Sequence, residues 1–226
     1  IFISDSFKNS IESSLLIPII TSKELRKNRF KESNKCIINP FDKNGQLIDL
    51  AKYPKAKSYF LNNREELERR HVAKRNPAHW YKTIDKIKPE ITHLPKILLP
   101  DISGNTLLFI DKGKYYPHHN LYFILGMELP SLKLLASILM SRFVLEQLYE
   151  IGNKMNGGYP RWQSQNLRKL RIPILQNLST AYTDKIIKAY DNNDLGFLNE
   201  YITIENIIDN SKEKGQMQIF EPSTEY

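Results

Sequence analysis

The sequence has one cysteine, few glycines and no long hydrophobic run. Because Cys36 is the single cysteine, an internal disulfide is excluded, which fits a reducing cytoplasm. We expect the Cys36 side chain to be buried as a small apolar group. The nine glycines are scattered, with neither a G-x-x-x-x-G-K-[ST] phosphate loop nor a G-x-G-x-x-G dinucleotide turn. No apolar run reaches the ~18 residues of a membrane span, so we expect a cytoplasmic protein with no membrane partner. Because the chain begins with Ile1 and shows no secretion signal, we expect a fragment of a longer protein.

Motifs for enzyme chemistry are also missing. No G-x-S-x-G elbow could hold a nucleophilic serine, and no Cys/His spacing is typical of a metal site. The stretch "NPAHW" (Asn76 to Trp80) departs from the Asn-Pro-Pro-aromatic loop of base-amine methylases at Ala78 and His79. Asp101, Asp111 and Glu128 read as solvated turn carboxylates rather than nuclease ligands. We therefore predict no catalytic residue, metal or cofactor in this chain.

Charge is abundant and unevenly distributed. The net charge of +8 divides into 29 cations and 16 acids over residues 1–175, and four cations and nine acids over residues 176–226. This pattern predicts a polyanion-binding domain over 1–175, followed by an acidic helical segment over 176–226. Lysine-rich solubility charge is the alternative reading, and the charge count alone leaves it open.

The periodicity of apolar residues predicts a mixed α+β fold with largely antiparallel strands. Helices are expected over residues 53–74, over a long buried stretch from Leu132 to Ile151 capped by Ser131 and stopped at Gly152, and after Pro173. We also expect core packing for Trp80 and a frayed C-terminus. The expected strands are 15–20, 36–41 and three runs that suit an antiparallel meander, at 96–102, 106–111 and 120–125.

The stretch "NKMNGGYPRWQSQNLRKLRIPIL" (Asn153 to Leu175) holds five cationic side chains, four amides beyond its first residue and no acid. Cations neutralise phosphates, and amides or arginine can hydrogen-bond base edges. The Gly157-Gly158 pair lets a backbone approach a partner closely, and Trp162 suits either sugar packing or a core anchor. The alternative is a basic loop that only links a helix to a strand.

Three stretches in order carry a resemblance to a known family. They are "NPAHWYKTIDKIKPEITHLPKILLPDISGN", "KGKYYPHHNLYFILG" and "MNGGYPRWQSQNLRKLRIPIL", preceded by "CIINPFDKNGQLIDLAKYPKAKSYFLNNREELERR". Together they resemble the C-terminal target-recognition domain of restriction-modification N6-adenine DNA methyltransferases, over roughly Leu15 to Leu175. Each piece is short, and their order carries the information. The acidic helical segment departs from the pattern.

The resemblance implies a non-catalytic reader of double-stranded DNA. In that family S-adenosylmethionine and the catalytic loop lie in an N-terminal methyltransferase domain of the same polypeptide, which sometimes also cleaves DNA. A specificity subunit of a multi-subunit restriction system and a metal-dependent nuclease domain are the alternatives. The expected base contacts are Arg161, Gln163, Gln165 and Asn166; the expected phosphate contacts are Lys154, Arg168, Lys169, Lys112 and Lys114; further DNA contacts are expected from His118, Asn120, Tyr81, Lys82 and Trp162.

Overall fold

A computed structural model describes residues 2–3, 10–25, 30–100, 108–151, 162–212 and 217–219 of the 226-residue chain. The chain forms two compact units that are interleaved in sequence. Unit 1 comprises Ile1–Ile20, Glu32–His93 and Lys114–Tyr116, and unit 2 comprises Thr21–Lys31, Leu94–Gly113 and Pro117–Tyr226. The expected boundary at residue 175 is therefore not a boundary between compact units.

The predicted mixed α+β class is confirmed. The strands of the described residues are β1 (Phe2–Ile3), β2 (Leu16–Ile20), β3 (Lys35–Ile38), β4 (Lys96–Pro100), β5 (Phe109–Asp111), β6 (Tyr116–Pro117), β7 (Leu121–Ile124), β8 (Arg171–Pro173) and β9 (Met217–Ile219). Their α-helices are α1 (Pro54–Asn62), α2 (Arg64–Glu68), α3 (His71–Arg75), α4 (Leu129–Met140), α5 (Arg142–Ile151), α6 (Ser164–Leu167), α7 (Thr180–Asp191), α8 (Leu195–Tyr201) and α9 (Ile204–Asp209). Short 3-10 helices span Ser13–Leu15, Ser22–Leu25, Leu50–Lys52, Pro77–His79, Pro89–His93 and Leu175–Asn177.

The sheet of unit 1 has the strand order β1-β3-β2-β6, and β3 pairs antiparallel with both β1 and β2. Residues alternate along β3, so that Cys36 and Ile38 are buried while Lys35 and Ile37 are half-buried. The expected strand at 15–20 and the expected burial of Cys36 are confirmed. Alternation of this kind places one face of the sheet in the core of unit 1.

The expected helix over residues 53–74 is three short helices instead of one. α1 begins at Pro54, whose fixed φ suits a first helical turn, and the breaks fall at Asn63 and at Arg69–Arg70. No local side chain caps α1. The carboxylate of Glu12 accepts hydrogen bonds from the Lys55 and Ala56 N–H groups at 2.8 and 2.9 Å. A residue distant in sequence therefore caps the N-terminus of α1, and no local sequence pattern reveals this cap.

The sheet of unit 2 has the order β5-β4-β7, with antiparallel pairing on both sides of β4. The expected strands are present, but the expected meander is wrong because β7 pairs with β4 and not with β5. Between β5 and β7 the chain contributes β6 to the sheet of unit 1, and it then returns on the far side of β4. As the central strand, β4 is buried along its whole length.

The expected long helix is divided into α4 and α5 by Ser141, whose backbone is extended at φ −68° and ψ 155°. The Ser141 hydroxyl donates to the Ile138 carbonyl at 2.6 Å, and the Arg142 N–H donates to Asn199 Oδ1 at 2.8 Å, so polar partners satisfy the break. α4 begins at Leu129, which places the expected cap Ser131 inside its first turn. The expected stop at Gly152 lies outside the described residues.

The helices after residue 175 belong to the core of unit 2. Buried residues of α7, α8 and α9, including Ile186, Leu198 and Ile207, share one hydrophobic cluster with α4 and β4. This packing is why the acidic helical segment is not a separate structural unit. β9 pairs with β8, so the expected fraying of the C-terminus is wrong at Met217–Ile219.

Candidate nucleic-acid interface

The Trp162–Arg171 segment of unit 2 is a polar run on buried anchors. Trp162, Leu167 and Leu170 are at most 2% exposed and lie in the hydrophobic cluster of unit 2. The ring of Trp162 is therefore a core anchor, and the expectation that it contacts DNA is wrong. Between the anchors, α6 carries three polar residues, of which Gln165 is exposed.

The amides of this segment differ in how accessible they are. Gln165 is exposed, and its Nε2 donates to Gln163 Oε1 at 3.1 Å, so the two glutamines form one amide pair. Asn166 is 7% exposed, which contradicts the expectation that its amide faces base edges. The glutamine pair is thus the amide group of this segment that reaches the surface.

The cations of the segment are on the surface. Arg168 and Lys169 are exposed at the end of α6, and Arg171 is exposed on β8. Arg171 was missed as a candidate, although it belongs to the same cationic run and precedes the buried Ile172. Lys154 and Arg161 lie outside the described residues. The described segment therefore presents two glutamines and three cations, and its buried residues Trp162, Leu167 and Leu170 pack into the core of unit 2.

Gln147 of α5 holds the end of this segment in place. Its Oε1 accepts the Arg171 N–H at 2.9 Å, and its Nε2 donates to the Arg171 carbonyl at 3.1 Å. The same Nε2 also donates to the Phe143 carbonyl at 3.2 Å. Because one amide side chain bonds both backbone groups of Arg171, it fixes the position of β8 relative to α5. Sequence spacing gave no sign of this role.

A second polar group, in unit 2, lies on the stretch between the end of β6 and the start of β7. The His118 Nδ1 lies 2.7 Å from Asn120 Oδ1, and Asn120 Nδ2 donates to Ser22 Oγ at 2.8 Å. The rings of His118 and the exposed His119 are 3.9 Å apart between centroids. The Asn120 backbone N–H also donates to His118 Nδ1, at 3.4 Å, so the tautomer of the His118 ring sets which of the two Asn120 contacts is the stronger. This chain of hydrogen bonds orients the predicted His118–Asn120 pair.

The two lysines predicted after β5 differ in environment. Lys112, in unit 2, is exposed. Lys114, in unit 1, pairs with Glu32 at 2.6 Å and lies 5.4 Å from the centroid of the Tyr115 ring. The hydrogen bond with Glu32 raises the pKa of Lys114. A phosphate would have to compete with Glu32 for Lys114, so Lys112 is the stronger phosphate candidate of the two.

Tyr81 and Lys82 of unit 1 are half-buried. The Tyr81 hydroxyl donates to the Ile48 carbonyl at 2.8 Å, and burial, followed by the charge of Asp49, raises the pKa of Tyr81. Its ring lies 5.7 Å from that of Trp80, which is buried as expected. The Tyr81 hydroxyl is thus already used within the fold, and Tyr81 has a structural role that the sequence did not indicate.

A buried ion pair in unit 2 was also missed. Lys96 Nζ lies 2.7 Å from Asp111 Oδ2, and the two side chains are 0% and 2% exposed. The residues are directly paired in register between β4 and β5. Burial lowers the pKa of Lys96, and the hydrogen bond and charge of Asp111 oppose that effect. A lysine opening an apolar strand and an aspartate closing the next were the available signals.

Among the described residues, no group of three or more His, Cys, Asp or Glu side chains could hold a metal ion. No helix in the same part of the chain is long and apolar enough to cross a membrane. Unit 1 carries 15 cations and 10 acids, and unit 2 carries 18 and 15, so both units are net positive. A basic module of mixed α+β fold is the class of protein that these features define.

Comparison with known proteins gives the family. The type II methyltransferase M.BstVI of Geobacillus stearothermophilus is 38% identical over 187 residues, which cover 83% of this chain and 33% of that protein. The type II methyltransferase M.XhoI of Xanthomonas vasicola is 38% identical over 178 residues, covering 79% of this chain and 32% of that protein. No protein-family model matches the chain. The chain belongs to the type II methyltransferases and spans about a third of the length of these relatives.

A solved structure shares the fold. The type IIG restriction endonuclease BpuSI aligns with a TM-score of 0.53 and 15% sequence identity, over 83% of this chain and 22% of that one. The predicted resemblance to restriction-modification methyltransferases is confirmed by these relatives.

Proposed function

We propose that this chain is the DNA target-recognition part of a restriction-modification methyltransferase that modifies adenine at N6. One observation carries the proposal: about four-fifths of the chain matches type II methyltransferases, and the match covers only about a third of the length of each. Methyl transfer then takes place elsewhere in the parent polypeptide, in a catalytic domain that holds S-adenosylmethionine. The parent works in the cytoplasm on double-stranded DNA.

The Trp162–Arg171 segment supplies a physical basis for recognition. Gln165 and Gln163 can offer amide donors and acceptors to base edges, and adenine suits an amide because its edge has one donor and one acceptor. The exposed Arg168 and Lys169 can neutralise phosphates. Arg161 and Lys154 stay in the proposal as a base contact and a phosphate contact. The Gln147 contacts with Arg171 would keep these side chains in register with the duplex.

The test is binding of the chain to duplexes selected from a random-sequence DNA library, measured by fluorescence anisotropy over a range of salt. Arg168→Ala and Lys169→Ala should each weaken binding to all duplexes and reduce the salt slope by about one. Gln165→Ala should cost about 1–3 kcal/mol on the selected duplex and little on random DNA. Lys188→Ala is the matched control, because Lys188 is exposed on α7 of the acidic segment.

The proposal fails if no duplex is enriched, or if the control variant changes the salt slope as much as Arg168→Ala does. Cleavage of the selected duplex by the chain in Mg²⁺ would identify a nuclease instead. Binding that requires a separately encoded methyltransferase subunit would identify a specificity subunit.

A further inference from the structure

Ile84 of unit 1 is exposed far beyond the other large apolar side chains of the described residues. It is 78% exposed, while the next, Ile204, is 49% exposed. Ile84 lies in the loop Lys82–Lys88, between the packed Trp80–Tyr81 pair and the 3-10 helix Pro89–His93. An isoleucine left in water forgoes the free energy of burying its side chain, so a partner that covers Ile84 gains affinity.

The loop around Ile84 approaches other parts of unit 1 at its beginning, middle and end. Tyr81 bonds to the Ile48 carbonyl at the beginning. In the middle, Lys86 lies over Gly45, so that a Cβ there would be 3.4 Å from its Nζ. At the end, the Lys88 N–H donates a hydrogen bond to Tyr116. This hydrogen bond opposes the rise in the pKa of Tyr116 that burial causes. The exposure of Ile84 is therefore a property of the packed loop and not of a frayed segment.

The tip itself has a defined turn. The Thr83 hydroxyl donates to the Asp85 carbonyl at 2.6 Å, which bridges the chain across Ile84. A side chain held on such a turn loses little conformational freedom when a partner covers it. The tip is thus pre-organised for insertion.

The charge of the loop selects the kind of partner. Lys82, Lys86 and Lys88 are opposed within the loop by Asp85 alone. The Asp85 carboxylate is close enough to Tyr116 to help raise its pKa, after burial and the charge of Glu90. An apolar tip with flanking lysines suits a polyanion that also has apolar surface between its charges. Duplex DNA is such a partner, because its stacked base pairs lie between its phosphates.

We propose that Ile84 is a wedge that inserts between two stacked base pairs of bound duplex DNA, while lysines of the same loop contact phosphates. The inference rests on the proposed function and assigns to unit 1 a role separate from that of the Trp162–Arg171 segment. The wedge unstacks one base step, and the glutamines read base edges.

The experiment uses the full chain and the duplex enriched in the selection, with 2-aminopurine replacing one base at a time. Its fluorescence rises when it is unstacked. The wild-type chain should brighten the label at one base step. Ile84→Ser should return that signal to the level of free DNA and weaken binding by about tenfold, while Ile84→Leu should keep both. Leu61→Ser is the matched control, since Leu61 is 45% exposed in unit 1 outside the loop.

The outcomes separate the two proposals. Failure of the wild-type chain to bind any duplex overturns both. Binding without brightening at any position, or an Ile84→Ser variant that brightens the label as the wild type does, overturns the wedge and leaves DNA recognition intact. Equal losses in Ile84→Ser and Leu61→Ser would also overturn it, because the effect would then not belong to the loop.

Discussion

Removing either member of the Lys96–Asp111 ion pair should destabilise unit 2 by about 3–5 kcal/mol. At 2.7 Å the attraction is about 6 kcal/mol for an effective dielectric constant of ~20. Taking both ions out of water costs several kcal/mol for each, so attraction and desolvation nearly cancel. Asp111→Leu or Lys96→Met abolishes the attraction but leaves the other ion buried, and the desolvation of that ion sets the size of the loss.

The double variant Lys96→Met/Asp111→Leu should behave differently. It removes both desolvation costs together with the attraction, so its stability should lie within about 1–2 kcal/mol of wild type or exceed it. The coupling energy of the double-mutant cycle should therefore be several kcal/mol and opposite in sign to the single losses.

Urea unfolding followed by tryptophan fluorescence can assign the effect to a unit. The chain has two tryptophans, with Trp80 in unit 1 and Trp162 in unit 2. In a Trp80→Phe background the signal reports unit 2, and the single variants should lower its midpoint by at least about 1 M. In a Trp162→Phe background, where the signal reports unit 1, the shift should be smaller. Single losses below 1 kcal/mol, or a double loss equal to their sum, would refute the reasoning.

Three further predictions concern single contacts. Gln147→Leu should cost about 1–3 kcal/mol of stability, because it leaves the Arg171 backbone groups without this partner. It should also reduce discrimination among duplexes, whereas Gln165→Ala should change stability little. Urea unfolding measures the stability, and anisotropy measures the discrimination. Leu139→Ala should cost about 2–5 kcal/mol, since Leu139 is 0% exposed, and an unchanged melting curve would contradict its place in the core. Burial opposes ionisation of Glu12, but hydrogen bonds from Ala56 and Lys55 outweigh this effect and lower the pKa of Glu12. The stabilisation by Glu12 is therefore present above its ordinary pKa and is lost as the pH falls. Glu12→Gln should show a shallower loss of stability in acid, and an acid transition identical to that of the wild type would count against this contact.

Local periodicity predicted the elements of the fold better than their arrangement. Strands β2, β4 and β7 follow short apolar runs, and such runs carry their own signal. The order β5-β4-β7 depends on the path of the chain through another sheet, which no local window contains. Likewise, the break at Ser141 is stabilised by Asn199, which lies 57 residues after its partner Arg142, and α1 is capped by Glu12, 43 residues before Lys55. Distant partners of this kind leave no spacing to detect.

The candidate site was predicted in part. The cationic run indicated Arg168 and Lys169, which are exposed as charged side chains usually are. Trp162 and Asn166 were misplaced, since the anchors of the segment follow from tertiary packing and an aromatic or amide side chain suits either environment. Gln147 was missed because its role is defined only by the backbone that it meets. Ile84 looked like one more apolar residue until its exposure and anchored loop were visible.

The interleaving of the two units limits how the protein can be cut and grafted. A fragment ending at His93 would lack β6, and the outer edge of β2 would then offer unpaired backbone groups to other strands. During synthesis, the first sheet cannot be completed until Tyr116 has left the ribosome. Exchange of target preference between relatives should therefore succeed with the whole piece, or with side chains on an intact scaffold, and fail with a single splice at that junction.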